Sequence, residues 1–163
     1  MTTTPTIHAT AILVGAKAML IRGEPGSGKS RLALRLLETA GRELPFARLV
    51  GDDRVHLENR AGRLIVQPPK ELAGLLEIRG TGIVRVPFEP AAVVGLVVDL
   101  DEPADRMPAA ESRKAVLEGV TLPRLAVPRG ADPLPLAIAV WAVSAPFDGK
   151  QAARYPPSPV GEK

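Results

Sequence analysis

Short apolar segments separated by turn residues run through most of the chain, and they predict a strand-rich domain. Their residues are 7–14, 17–21, 47–51, 54–58, 63–67, 75–80, 82–86, 93–100 and 122–127. Helical patterns are fewer and cover residues 29–40, 109–118 and 133–144. A doubly wound fold would alternate helices with parallel strands. The pattern instead predicts an α/β domain with a mixed sheet that contains several hairpins.

The length fits one domain with a single substantial core, because the chain has 163 residues. We assign this domain to residues 1–150. The remaining segment, 151–163, contains the proline-rich sequence "YPPSPVGEK" and is predicted to be disordered.

Composition limits the classes of function. Hydrophobic residues make up 45% of the chain and aromatic residues 3%, so the core is mostly aliphatic, with Trp141 predicted to belong to it. The absence of cysteine excludes disulfides and thiolate metal sites, which suits a cytoplasmic protein. The apolar runs are too short to span a bilayer. A net charge of +3, with scattered basic residues and few aromatics, argues against nucleic-acid binding.

One motif indicates phosphate chemistry. The sequence between an apolar segment and a helical one matches G-x-x-x-x-G-K-[ST], the P-loop pattern. Its members are Gly23, Glu24, Pro25, Gly26, Ser27, Gly28, Lys29 and Ser30. The glycines let backbone N–H groups converge on phosphate oxygens at the N-terminus of the helix. In this pattern Lys29 reaches the β- and γ-phosphates and Ser30 binds Mg²⁺, so the motif predicts binding of ATP and Mg²⁺.

Acidic and basic residues outside the loop have two interpretations each. Asp52 and Asp53 follow an apolar strand, where a carboxylate could hold Mg²⁺ or accept a proton, but they could equally form a solvated turn. Glu77 could be a further magnesium ligand, although strand alternation favours a solvent-exposed face. His8, inside an apolar run, is more typical of a hydrogen-bonded core histidine than of a catalytic one. Arg106, in a polar loop, could neutralise charge in a phosphoryl-transfer reaction, but loop arginines are usually surface residues.

Together these elements resemble the catalytic domain of HPr kinase/phosphorylase over about residues 7–145. The resemblance rests on "IHATAILVGAKAMLIRGEPGSGKS", "LVGDD", "LEIRGTGIVRV", "DRMP" and "LEGVTLPRLAVP", which occur in the family's order. The family phosphorylates a serine of the phosphocarrier protein HPr, within the regulation of a phosphotransferase system. Its fold is similar to that of phosphoenolpyruvate carboxykinase.

The resemblance implies a role for each candidate residue. Asp52 is the implied general base, with His8 beside it, and Asp53 and Glu77 join Ser30 in holding Mg²⁺. Arg106 is implied to act in the reaction with phosphate. ATP is the implied phosphoryl donor and HPr the protein partner. Inorganic phosphate is the co-substrate of a reverse reaction that releases pyrophosphate, and the family forms homo-oligomers. The alternatives are a catalytically inactive nucleotide-binding regulatory module and a small-molecule kinase on the same scaffold.

The chain departs from the family's pattern at three places. The phosphate loop begins at residue 23, as expected for a short form without the family's N-terminal domain. Arg31 stands where an acidic residue is expected after the loop, which concerns metal or nucleotide handling. "RGADPL" replaces the usual glycine-arginine-asparagine run, which concerns the docking of HPr and contacts between subunits.

Overall fold

A computed structural model describes residues 5–44, 46–103 and 110–144. The strands are β1 (Thr6–Ile7), β2 (Thr10–Val14), β3 (Lys17–Arg22), β4 (Ala47–Gly51), β5 (Val55–Arg60), β6 (Arg63–Gln67), β7 (Leu75–Ile78), β8 (Gly82–Arg85), β9 (Ala92–Glu102), β10 (Lys114–Leu117) and β11 (Val120–Pro128). The helices are α1 (Lys29–Thr39) and α2 (Pro133–Ser144), and short 3-10 segments cover Lys70–Leu72 and Ala110–Arg113. The strand-rich prediction is confirmed.

The main sheet is mixed, as the sequence predicted. Its principal strand order is β1-β5-β6-β9-β3-β2-β4. Strand β9 runs parallel to β3 on one side. On its other side it pairs first with β6, antiparallel at Ala92 and Val93, and then with β11, which is parallel. The parallel strands β3, β9 and β11 therefore end at the same edge of the sheet.

Both faces of the sheet are covered by apolar contacts. Helix α1 buries Leu32 and Leu36 in a cluster on one face, and Trp141 of α2 packs against the same cluster. The assignment of Trp141 to the core is therefore confirmed. Leu20 and Val97 point to a second cluster on the opposite face, which includes buried residues of β5, β6, β10 and β11. The small β7–β8 hairpin contributes Leu76 to the first cluster.

The helix predicted over residues 109–118 is wrong. Only Ala110–Arg113 is helical, as a 3-10 segment, and Lys114–Leu117 is a strand. Glu118 and Gly119 both have positive φ, 49° and 76°, and they join β10 to β11 with Leu117 opposite Val120. A two-residue turn with two positive φ values suits the twist of a hairpin. Pairing with β11 thus outweighs the helical propensity of the segment.

Two predictions lie outside the described residues, namely the arginine loop with Arg106 and the tail 151–163. The predicted strand 7–14 is present but divided, because β1 ends at Ile7 and β2 begins at Thr10. Within the ranges that the structure describes, no helix is long and apolar enough to cross a lipid bilayer.

Candidate active site

The glycine loop, Gly23–Ser30, connects β3 to α1. Gly26 and Gly28 have φ values of 82° and 100°, which residues other than glycine rarely adopt. Gly28 is the N-cap residue of α1, so no side chain at this position caps the N–H groups of the first turn. The N–H groups of a first helical turn lack partners within the helix, and they carry its positive dipole end. The loop therefore offers donors suited to an anion.

Lys29 and Ser27 complete the inner surface of the loop. The Lys29 ammonium is buried and donates hydrogen bonds to the carbonyl oxygens of Gly23, at 2.9 Å, and Glu24, at 3.3 Å. A side chain at Gly23 would collide with the Ser27 hydroxyl. That hydroxyl is buried and has no hydrogen-bond partner within the described residues. Buried polar groups normally have partners, so Ser27 is a further candidate to contact a ligand in the loop.

Asp52 lies under the loop and joins four parts of the chain. Its Oδ1 accepts hydrogen bonds from the hydroxyls of Ser30, at 2.7 Å, and Thr10, at 2.9 Å. Its Oδ2 accepts one from the backbone N–H of Glu77, at 3.1 Å. Asp52 is only 7% exposed, and Thr10 is fully buried. The resemblance grouped Ser30 with Asp53 and Glu77, whereas the structure pairs Ser30 with Asp52. Thr10 was not predicted, and its signal was a hydroxyl within a buried strand.

Asp53 points away from Asp52. Its φ of 65° turns the chain, and its side chain is 62% exposed. The Asp53 carboxylate lies 4.0 Å from Nδ1 of His8, which is equally exposed. The interpretation of His8 as a core histidine is therefore wrong. The interpretation of the acids as a solvated turn fits Asp53 but not Asp52.

The Glu77 side chain is exposed, as strand alternation favoured, and only its backbone N–H contacts Asp52. In the described part of the chain, no three acidic, histidine or cysteine side chains cluster as metal ligands. Ser30 and Asp52 still supply hard oxygen atoms beside the loop. Mg²⁺ needs only one or two such protein ligands when substrate phosphates and water complete its octahedron. The residues present therefore fit a magnesium ion that arrives with a nucleotide.

A cluster of charges that sequence reasoning missed lies beside the start of the loop. Arg22 donates to Asp99 through Nε, at 2.7 Å, and Nη2, at 2.8 Å. Arg124 donates from Nε to the same carboxylate, at 2.5 Å, and from Nη1 to the carbonyl oxygen of Ser112, at 2.8 Å. Its Nη2 lies 3.2 Å from Glu102. We call Arg22, Asp99 and Arg124 the arginine clamp.

The residues of the arginine clamp stabilise one another's charged states. Burial alone would raise the pKa of Asp99, but the hydrogen bonds from Arg22 and Arg124 outweigh burial and lower it. The hydrogen bond to Asp99 likewise raises the pKa of Arg22. Because these residues belong to β3, β9 and β11, the clamp joins the three parallel strands where the glycine loop begins.

The chain is similar in sequence to proteins of a known family. The family described as HPr Serine kinase C-terminal domain matches residues 1–131. An HPr kinase/phosphorylase from Geobacillus thermodenitrificans is 33% identical over 138 residues, covering 77% of this chain and 42% of that protein. One from Clostridium beijerinckii is 40% identical over 80 residues, covering 49% of this chain and 24% of that protein. The chain thus spans a quarter to under half of these relatives.

A solved structure is similar to this chain in fold. The Hpr(Ser) kinase/phosphatase from Coxiella burnetii superposes with a TM-score of 0.70 at 25% identity, over 92% of this chain and 96% of that one. The family match covers most of the chain, including the glycine loop, Asp52 and the arginine clamp. The chain belongs to the HPr serine kinase C-terminal domain family.

Proposed function

We propose that this domain transfers the γ-phosphoryl group of ATP to a serine hydroxyl of HPr. The observation that carries the proposal is the hydrogen bond from Ser30 to Asp52 directly below the glycine loop. It brings a magnesium-type hydroxyl and a carboxylate to the same end of a phosphate-binding motif. Phosphoryl transfer needs little beyond such positioning and charge stabilisation.

The loop and Lys29 would hold the triphosphate. The Lys29 ammonium is already fixed by two carbonyl oxygens, so it would meet the β- and γ-phosphates with little loss of side-chain freedom. Ser30 would hold Mg²⁺, and the exposed carboxylates of Asp53 and Glu77 would have to turn toward the ion to serve as further oxygen donors. Mg²⁺, when bound, would neutralise negative charge on the phosphates.

Asp52 is our proposed general base. Its Oδ1 already accepts two hydrogen bonds and its Oδ2 one, so a lone pair on Oδ2 remains for the proton of the attacking serine. The three donors also fix the carboxylate, and fixed geometry is what a general base requires. His8 lies at the exposed rim of the site and would act only indirectly, through its contact with the Asp53 carboxylate. Arg106 would contribute positive charge toward phosphate.

The same groups could run a reverse reaction. An oxygen of inorganic phosphate would attack the phosphorus of phosphoserine, the bond from phosphorus to the serine oxygen would break, and that oxygen would take a proton from Asp52. The products would be serine on HPr and pyrophosphate. Two anions approach each other in this direction, so Arg106 would matter more than in the kinase direction.

The test is to incubate the chain with ATP, Mg²⁺ and its cognate HPr and to search HPr for phosphoserine by mass spectrometry. Lys29→Ala should abolish the modification, whereas Lys114→Ala, which changes an exposed residue of β10, should not. ATP binding without modification of HPr would refute the kinase and favour a regulatory module. Consumption of ATP with small-molecule acceptors alone would identify a small-molecule kinase.

A further inference from the structure

A cleft of about 770 Å³ opens beside the first residues of the glycine loop. It is lined by residues 22–24 at the end of β3, residues 99–103 at the end of β9, Arg124 of β11 and Arg129 just beyond it. Ligand sites for small molecules typically have volumes of about 300–1,000 Å³. The cleft is therefore far larger than a phosphate group requires.

The cleft and the Ser30–Asp52 pair lie on opposite sides of β3. Asp52 follows β4, which is separated from β3 by β2, whereas the cleft lies over the ends of β9 and β11. The Lys29 ammonium donates hydrogen bonds to the carbonyl oxygens of Gly23 and Glu24, two residues that also line the cleft. A triphosphate whose terminal group reaches Ser30 and Asp52 can thus extend its other end along the loop into the cleft.

The charges of the cleft do not suit a second anion. Four carboxylates line it, those of Glu24, Asp99, Asp101 and Glu102, against the three guanidinium groups of Arg22, Arg124 and Arg129. Arg22 and Arg124 are already engaged by Asp99, and Arg124 also by Glu102. An uncharged ligand part with hydroxyl groups and a flat ring fits these groups better than a phosphate or a sugar phosphate does.

We infer that the cleft takes the nucleoside part of ATP, with Arg129 stacked on the base and Asp101 accepting hydrogen bonds from the ribose hydroxyls. This inference rests on the proposed function for its choice of ATP as the nucleotide. A guanidinium plane stacks well on aromatic rings. A carboxylate beside a glycine loop binds ribose hydroxyls in dinucleotide-binding folds as well.

Arg129 and Asp101 are both available for these contacts. The backbone N–H of Arg129 donates to the carbonyl oxygen of Glu102, at 2.9 Å, which fixes its position over the cleft. Its side chain is exposed and has no ion pair within the described residues. Asp101 is exposed and has a φ of 56°, a left-handed conformation that aspartate tolerates better than most residues.

The experiment compares two probes by isothermal titration calorimetry in the presence of Mg²⁺, ATP and inorganic tripolyphosphate, which lacks a nucleoside. Arg129→Ala should weaken ATP binding about tenfold, the usual scale of stacking a cation on a ring. It should leave tripolyphosphate binding unchanged. Lys29→Ala should weaken both probes, and Arg63→Ala, an exposed arginine of β6 beyond the cleft, should weaken neither.

Asp101→Gly tests the ribose contact without unfolding the protein, because glycine accepts a positive φ. It should reduce the preference for ATP over 2′,3′-dideoxy-ATP. Equal loss of ATP and tripolyphosphate in Arg129→Ala would make Arg129 a phosphate contact and overturn the inference. Unchanged ATP binding in both variants would place the nucleoside elsewhere. Neither measurement involves HPr, so a failure of the proposed substrate would not be confused with a failure of the cleft.

Discussion

Replacing Asp99 with alanine tests whether the arginine clamp stabilises the edge of the sheet that carries the glycine loop. The variant leaves Arg22 and Arg124 facing each other without the carboxylate that both of them bind. Asp132→Ala is the matched control. Asp132 also forms a two-point pair with an arginine, Arg35, at 2.6 and 3.2 Å, but its side chain is 53% exposed whereas that of Asp99 is 8% exposed.

The burial of the clamp sets the expected magnitude. Removing one partner of a fully buried ion pair costs about 3–5 kcal/mol, because the remaining charge is left uncompensated. Arg124 is 16% exposed and Arg22 is 31% exposed, so water can partly solvate the stranded guanidinium groups. We therefore expect Asp99→Ala to lower the free energy of unfolding by about 2–4 kcal/mol. Exposed pairs contribute little, but the Asp132 carboxylate also accepts a hydrogen bond from the backbone N–H of Leu134, at 3.2 Å, and so caps α2. Asp132→Ala should therefore lower stability through the loss of this helix cap, but by less than Asp99→Ala.

The assay is urea unfolding followed by tryptophan fluorescence. Trp141 is the single tryptophan of the chain and packs against the core beside α1, so it reports on the relevant part of the fold. The slope of the unfolding free energy with urea should stay constant and the midpoint should fall. If Asp99→Ala costs no more than Asp132→Ala, the clamp is not a stabilising feature and the reasoning fails.

The ion pairs of Asp99 also predict how the free energy of unfolding depends on pH. The pKa of Asp99 is lowered in the folded state, so its contribution is fully present above the pKa of the unfolded chain and is lost as the pH falls through the folded value. The stability difference between the wild-type chain and Asp99→Ala should therefore be constant near neutral pH and shrink below about pH 4, the ordinary pKa of aspartate. A difference that grows on acidification would show that Asp99 is not the ionised partner.

Three further predictions concern the candidate active site. Lys29→Ala should weaken ATP binding and abolish transfer to HPr, with Lys114→Ala as control and calorimetry and phosphoserine formation as measurements. Asp52→Asn should leave ATP binding nearly intact and slow phosphorylation by roughly 10²–10⁴-fold in single-turnover assays. Asp53→Asn should instead raise the Mg²⁺ concentration that the reaction requires. If Asp53→Asn slows the reaction and Asp52→Asn raises the Mg²⁺ requirement, the two roles are exchanged. Thr10→Val should lower stability by about 1–3 kcal/mol, measured by urea unfolding, because it removes a buried donor to a charged carboxylate.

Local features of the chain could be predicted from the sequence because their causes are local. The glycine loop follows from a motif in which each residue has a fixed position, and the strands from short apolar runs bounded by turns. The helix predicted at residues 114–117 is wrong, because the segment is strand β10. Their helical propensity was outweighed by pairing with β11 across a Glu118–Gly119 turn, a partner that the local pattern does not reveal.

The two adjacent acids show a different limit. Strand alternation places Asp52 and Asp53 on opposite faces, but it does not say which one is buried. The choice follows from contacts distant in sequence, since Thr10 and Ser30 donate to Asp52. Asp53 takes a φ of 65°, a conformation that aspartate tolerates better than most residues, and so turns toward solvent and His8.

The arginine clamp depends on the register of β3 against β9, so it could not be predicted from the local sequence. Arg22 and Asp99 lie 77 residues apart but are direct neighbours across the β3–β9 pair. A shift of one residue would put their side chains on opposite faces of the sheet. Because Arg22 immediately precedes Gly23, the register that forms the clamp also fixes where the glycine loop leaves the sheet. The position of the loop relative to the cleft on one side and Asp52 on the other therefore follows from the pairing of β3 with β9, and a variant that weakens this pairing should disturb both sides together.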